Sequence, residues 1–179
     1  MRVTPDNSAD DLKTVRLLQV PLAAQVRSTQ HFDELMREFA LISMDTDRAR
    51  PSTDTARPVP VRLLALVDEL NASYATFTAA VTAERDEAVA RGETEIDLTY
   101  DLPASVVAAC HELGTLLDEV DDYCRSGQHL ITLATSPESL ALRKWYLGEF
   151  PAQIEEGRAP LAWPDYVADH HPDADWSQS

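Results

Sequence analysis

Apolar residues recur at steps of three and four along three long stretches of the chain, a spacing typical of amphipathic helices. The first stretch extends from about Leu22 to Met44. The second opens at Pro60 or Val61 and stops at Gly92, a residue suited to the left-handed position that ends a helix. These two stretches predict the two longest helices of the protein.

The third helix is predicted to begin with Pro103 at its first position, where the missing amide hydrogen does no harm. Its apolar seam follows steps of four and three and is formed by Val106, Cys110, Leu113, Leu117, Val120 and Cys124. A fourth helix should start at Ser136 and Pro137, an N-cap followed by proline, and Pro151 should kink or end it. The sequence therefore predicts an all-α bundle of about four helices.

Three short segments have an extended rather than a helical pattern. Residues 95–102 alternate strictly between apolar and polar side chains, residues 14–20 do so loosely, and residues 129–134 are a short apolar run. An α+β alternative would pair these three segments in a small sheet. In either case we expect a disordered tail at 1–13, one domain at 14–164 and a disordered acidic tail at 165–179.

The net charge of the chain limits the kinds of molecule that it is expected to bind. The chain has 31 acidic and 15 basic residues and a formal net charge of −16, which repels the phosphate backbone of nucleic acids. The amino terminus lacks the apolar run of a signal peptide, and nowhere are about 18 apolar residues consecutive. We expect a cytoplasmic protein that binds neither nucleic acid nor membrane.

Catalytic and cofactor motifs are missing from the sequence. With five glycines in total, the chain has neither a phosphate-binding glycine loop nor a Gly-x-Ser-x-Gly turn. Cys110 and Cys124 lie in the apolar seam, where a thiol packs as a small hydrophobic group. We therefore expect no catalytic residue and no cofactor, and an enzyme is the less favoured interpretation.

Two helical stripes carry groups that bind metals in other helical bundles. The first helix has His31, Glu34 and Glu38, and the third has His111, Asp118 and Asp122. Both stripes lie opposite the apolar seams, so they should face water, where His beside Glu is ordinary surface pairing. We expect no metal site.

Two clusters are candidates for binding. Four of the 15 basic residues, Arg48, Arg50, Arg57 and Arg62, lie within 15 positions and could hold an anion or an acidic partner, unless they pair with the protein's own acids. Aromatic residues concentrate near the carboxyl end, and Trp145, Tyr146, Phe150 and Trp163 could shape a small-molecule pocket or fix the tail onto the bundle.

Four runs carry a resemblance to a known group of proteins: HFDELMREFALI at 31–42, LTYDLP at 98–103, LLDEVDDYCRSGQHLITLATSPE at 116–138 and RKWYLGEF at 143–150. Over residues 14–164 the chain resembles an uncharacterised family of small actinobacterial helical proteins. Genes of that family often stand beside partner-switching regulators of sigma factors. The resemblance implies an accessory in such a circuit and brings no catalytic residues with it.

Together these features favour a non-enzymatic regulatory module that binds another protein. The alternative is a sensor that binds a small molecule among the aromatic residues. A homodimer is a further hypothesis, because the second and third helices have more apolar surface than a short bundle needs.

Overall fold

The structure is a computed structural model and describes residues 12–48, 58–125, 135–174 and 176. Its elements in chain order are β1 Leu12–Pro21, α1 Leu22–Arg48, α2 Val59–Ala90, β2 Glu95–Pro103, α3 Val106–Arg125, α4 Pro137–Ile154 and α5 Trp163–His170. The described chain is thus predominantly helical, as expected. The all-α class needs correction, because five helices accompany a two-stranded antiparallel sheet in these ranges.

The sheet is formed by two of the three segments that the α+β alternative would pair. β1 lies antiparallel to β2, with Val15 opposite Tyr100 and Leu17 opposite Leu98. The third segment, 129–134, lies outside the described residues. Local sequence does not distinguish a paired sheet from two isolated extended segments, because the two strands are about 80 positions apart.

A β-bulge explains why the alternation in β1 is loose. Between Leu17 and Val20 the strand has one residue more than the facing stretch of β2, and Gln19 adopts a positive φ of 54°. The Gln19 amide donates to Asp97 Oδ1 at 2.8 Å. The extra residue turns Val20 to the same buried face as Val15 and Leu17, and all three side chains are fully buried.

At Arg16 the outer edge of β1 is covered by a side chain of α4. Arg16 donates its amide to Gln153 Oε1 at 3.0 Å, and Gln153 Nε2 donates to the Arg16 carbonyl at 2.8 Å. Glu149 is 5% exposed, and its carboxylate accepts a further bond from Gln153 Nε2 at 2.7 Å and one from the Leu161 amide at 3.1 Å. α4 is thereby fixed against the sheet by hydrogen bonds as well as by apolar packing.

Helix ends follow the local signals with one exception. Gly92 has φ +77° and donates to the Val89 carbonyl, while Glu93 donates to the Ala88 carbonyl, so α2 ends in a Schellman motif. Ser136 Oγ accepts from the Ser139 amide at 3.1 Å, which confirms the predicted N-cap of α4.

The exception is Pro103, which ends β2 three residues before α3 begins. The prediction that it opens the third helix is wrong, because the pairing of β2 with β1 extends through it. Pro151 lies inside α4, which continues to Ile154 with Phe150 and Ala152 buried on either side of the proline. This burial keeps the chain helical past the lost hydrogen bond.

A short helix overlaps the start of the predicted acidic tail. Residues 163–170 form α5, and the helix starts with Trp163, 8% exposed, against Trp145. The buried side chains form two clusters, one around the sheet, α4 and Trp163, the other between α1, α2 and α3 around Phe39 and Leu63.

Candidate ligand-binding cavity

A cavity of about 320 Å³ lies where the two apolar clusters meet. α2, β2, α3 and α4 form its walls, and Phe32 of α1 contributes at one end. Asn71 and Ala75 are exposed, so the cavity opens to solvent along α2. Its volume falls near the lower end of the range of about 300–1,000 Å³ that is usual for small-molecule sites.

The cavity lies along the middle of α2, where the helix is only partly buried against the core. Between Leu66 and Val81 no residue of this helix is buried. Leu70 and Tyr74 recur at the helical spacing and only partly cover the space in front of α3. The apolar stripe that predicted the second helix thus forms one wall of a cleft rather than a closed seam.

Two tyrosine hydroxyls meet at the wall formed by the sheet and α4. The Tyr100 and Tyr146 phenols are hydrogen bonded to each other, and their rings lie edge to face with centroids 6.4 Å apart. Burial raises the pKa of both phenols, that of Tyr146 well above its ordinary value. Both groups are therefore protonated and uncharged near neutral pH.

The remaining polar groups of the lining are few. Tyr74 Oη lies 3.2 Å from Ser105 Oγ, and Thr78 Oγ1 donates to the Tyr74 carbonyl one turn earlier in its own helix. Burial raises the pKa of the Cys110 thiol to about 12, so this residue presents a neutral, unreactive sulfur. Among the residues that the structure describes, the lining includes no charged side chain.

The structure divides the four aromatic residues predicted to form a pocket. Tyr146 and Phe150 line the cavity. Trp145 and Trp163 instead pack against each other with centroids 5.5 Å apart, and Trp145 Nε1 donates to the Leu161 carbonyl at 2.9 Å. The cause is helical geometry, because successive residues of α4 point about 100° apart. The two tryptophans therefore fix the carboxyl-terminal segment, and the tyrosine and phenylalanine serve the cavity.

The arginine cluster is described only in part. Arg48 is the last residue of α1, and Arg50 and Arg57 lie outside the described residues. Arg62, in the first turns of α2, pairs with Glu119 at 2.6 Å, and both side chains remain well exposed. At this position the arginine pairs with the protein's own acid, which was the alternative to an anion site.

A cluster of charged side chains lies apart from the cavity, between α3 and α4. Arg143 contacts Asp121 at 2.7 Å and Asp118 at 2.8 Å, and Asp121 also accepts from Thr135 at 2.6 Å. Asp121 is 7% exposed, whereas the side chains of Asp118 and Asp122 are 62% and 77% exposed, as their stripe predicted. Sequence reasoning missed Asp121 because it adjoins the apolar seam and has no motif of its own.

Neither histidine of the predicted stripes lies in a metal-binding arrangement. His31 Nε2 is 3.3 Å from Thr135 Oγ1, and His111 is exposed. Among the residues that the structure describes, no three His, Cys, Asp or Glu side chains are grouped so that they could hold a metal ion. Within the same ranges, no helix combines the length and apolarity needed to cross a bilayer.

Comparison with known proteins assigns no family or function to the chain. No protein-family model, curated protein or solved structure matches the chain. The resemblance to the actinobacterial family therefore stays a prediction, and the function has to be inferred from the cavity itself.

Proposed function

We propose that this protein is a non-enzymatic binding module that takes up a small apolar molecule in the cavity between α2, β2, α3 and α4. The observation that supports the proposal is a cleft of about 320 Å³ with an almost wholly apolar lining and a few hydroxyl groups. Such a combination is the usual composition of a ligand pocket. This is the sensor hypothesis, with Tyr74 and Tyr100 in place of the two tryptophans.

The location of the cavity suits a regulatory role. Its walls come from both apolar clusters, so a ligand that fills it would contact α2 on one side and α3 and α4 on the other. Because the middle of α2 has no buried residue of its own, ligand contacts would add most to the stability of that helix. A ligand would thereby change the surface of α2 that another protein can bind.

Filling the cavity by substitution tests the proposal, and two neighbouring alanines of α3 supply a matched pair. Ala109 lines the cavity, whereas Ala108 is exposed outside it. We expect 2-ethylnaphthalene, at ten times its Kd, to stabilise the wild-type protein by about 1.4 kcal/mol. For a chain of this length that corresponds to a rise in Tm of about 3–6 °C.

Ala109→Leu should remove most of this rise, and Ala108→Leu should keep it. Calorimetry of the three proteins with and without the naphthalene measures the effect. A wild-type Tm that does not respond to the compound refutes the proposal. An equal response in both leucine variants places the binding site elsewhere and refutes it as well.

A second candidate function is binding to another protein, such as a second copy of this chain. Exposed apolar residues at the end of α1 favour it. Leu41 and Met44 are 66% and 64% exposed and lie three residues apart, so they share one helical face. A homodimer of the 19.9 kDa chain would bury both residues. Because each copy carries a charge of −16, self-association should strengthen as salt screens the repulsion.

Light scattering at low and high salt tests the homodimer. The wild-type mass should approach twice that of the chain at high salt, and L41Q/M44Q should remain monomeric. A monomeric wild-type protein at every salt concentration, or an unchanged dimer of the double variant, contradicts this candidate.

A further inference from the structure

The charge of the lining determines which ligands the cavity favours. Among the residues that the structure describes, none that lines it is charged, although 26% of the chain is Asp, Glu, Lys or Arg; Arg85, whose charge acts on both phenols, lies outside the lining. An ion transferred from water to such a site without a partner loses several kcal/mol or more of hydration. The site therefore favours a neutral ligand.

The volume of the cavity sets the size of that ligand. An apolar cavity of about 150 Å³ in another protein is known to accommodate benzene. The present cavity of about 320 Å³ is roughly twice as large, which corresponds to a molecule of about two fused six-membered rings.

The tyrosine pair has one hydrogen-bond donor to spare. Two phenols carry two O–H protons, and the bond between Tyr100 and Tyr146 uses one of them. Within the part of the chain that the structure describes, neither phenol oxygen has any other hydrogen-bond partner. The second proton is thus left for a group that enters the cavity. Tyr74 is less suited to this role, because it is bonded to Ser105 close to the exposed side of α2.

We infer that the cavity selects an uncharged, mostly apolar molecule of about two rings that carries a hydrogen-bond acceptor such as a ketone, and that the Tyr100–Tyr146 pair donates to this acceptor. The inference rests on the proposed function, since it assigns the ligand class of the same cavity. It adds a polar anchor to a site that would otherwise bind by apolar burial alone.

The donor count gives a distinctive expectation for variants. Replacement of either tyrosine by phenylalanine removes one proton and also removes the bond that used one, so a single donor remains. Only in Y100F/Y146F does this pair of positions have none. Each single variant should therefore still recognise the ketone, and the double variant should not.

Three naphthalenes of nearly equal size serve as probes: 2-acetylnaphthalene with a neutral acceptor, 2-ethylnaphthalene without one, and 2-naphthoate with a charge. Titration of each into the wild-type protein, Y100F, Y146F and Y100F/Y146F gives the ratio of ketone to ethyl affinity for every protein. The two ligands differ in hydration free energy, but this difference is the same for every protein. It therefore cancels when the ratio in one protein is divided by the ratio in another.

We expect this ratio to be about threefold to tenfold higher in the wild-type protein and in both single variants than in the double variant, the effect of one neutral hydrogen bond. Naphthoate should bind at least tenfold more weakly than the ketone. The carbonyl stretching band of the bound ketone should lie at lower frequency in the first three proteins than in Y100F/Y146F.

The outcomes separate the two proposals. If no naphthalene binds the wild-type protein, the proposed function fails and the ligand class fails with it. If 2-ethylnaphthalene binds in the cavity but the double variant keeps the ketone preference and the carbonyl band, the cavity stands and the tyrosine anchor is refuted. Binding of naphthoate as tight as that of the ketone refutes the selection against charge.

Discussion

Asp121 is expected to contribute more to stability than any carboxylate exposed on the same helix. It is 7% exposed, and its two oxygens contact Arg143 at 2.7 Å and Thr135 at 2.6 Å. Asp121→Asn keeps the shape and removes the charge, and it can turn an amide N–H toward the guanidinium. Among the described residues, the change thus leaves the partly buried Arg143 with only the exposed Asp118 as a counter-ion.

The magnitude follows from the environment of the pair. Removal of one member of a buried ion pair costs about 3–5 kcal/mol. A single hydrogen bond to a charged group contributes about 1.5–3 kcal/mol. Because Asp118 continues to compensate Arg143, we expect Asp121→Asn to lower the free energy of unfolding by about 2–3 kcal/mol, between these two limits.

Asp122→Asn is the matched control. It lies on the same helix, makes the same change in net charge and also removes an ion pair, the one with Arg125 at 3.0 Å. Both side chains of that pair are more than half exposed, at 77% and 63%, so we expect a loss below about 0.5 kcal/mol. The difference between the variants therefore isolates burial.

Urea unfolding followed by circular dichroism and by tryptophan fluorescence measures both variants. With a slope of about 2 kcal/mol per molar urea, the midpoint should fall by about 1–1.5 M for Asp121→Asn and by less than about 0.3 M for Asp122→Asn. Coincident curves from the two probes justify the two-state treatment. Equal shifts for the two variants would refute the assignment of Asp121 as a buried, charge-compensating residue.

Two further predictions concern the apolar interior and the helix ends. The free energy of unfolding should fall as the pH rises from about 9 towards 12, because folded Cys110 keeps a proton that the unfolded chain releases. In Cys110→Ala that slope should be shallower by about 1.4 kcal/mol per pH unit, and parallel pH profiles would contradict the thiol assignment. Gly92→Ala should destabilise by about 1 kcal/mol, because φ is +77° there, whereas Gly148→Ala inside α4 should stabilise by up to about 1 kcal/mol. Calorimetry that gives both glycine variants the same sign would contradict this account.

The elements whose limits depend on local chemistry were predictable from the sequence. Gly92 ends α2 and Ser136 begins α4, as expected, because each affects only the few residues beside it. The pairing of β1 with β2 depends on residues about 80 positions apart, which no local pattern specifies. The start of α3 was placed too early for the same reason, since Pro103 belongs to a strand that only tertiary pairing defines.

The sequence predicts that aromatic residues near the carboxyl end shape a pocket, but it does not predict which residues line it. The aromatic cluster near the carboxyl end does contribute two residues, Tyr146 and Phe150. The alternating pattern of residues 95–102 marks Tyr100 only as an apolar position, because nothing in its neighbourhood distinguishes a core tyrosine from a lining one. Which member of the Trp145–Tyr146 pair faces the cavity depends on the rotation of α4, and that rotation is set by its contacts with the sheet and with Trp163.

The bond between Gln153 and the edge of β1 also bears on how the protein behaves at high concentration. A strand with free N–H and C=O groups along one side is a template for strand addition from another molecule and for fibril growth. The Gln153 amide occupies both groups of Arg16 on that side, as the backbone of an added strand would do. One side chain of α4 thereby removes the backbone groups of Arg16 from the template that β1 would offer to a further copy.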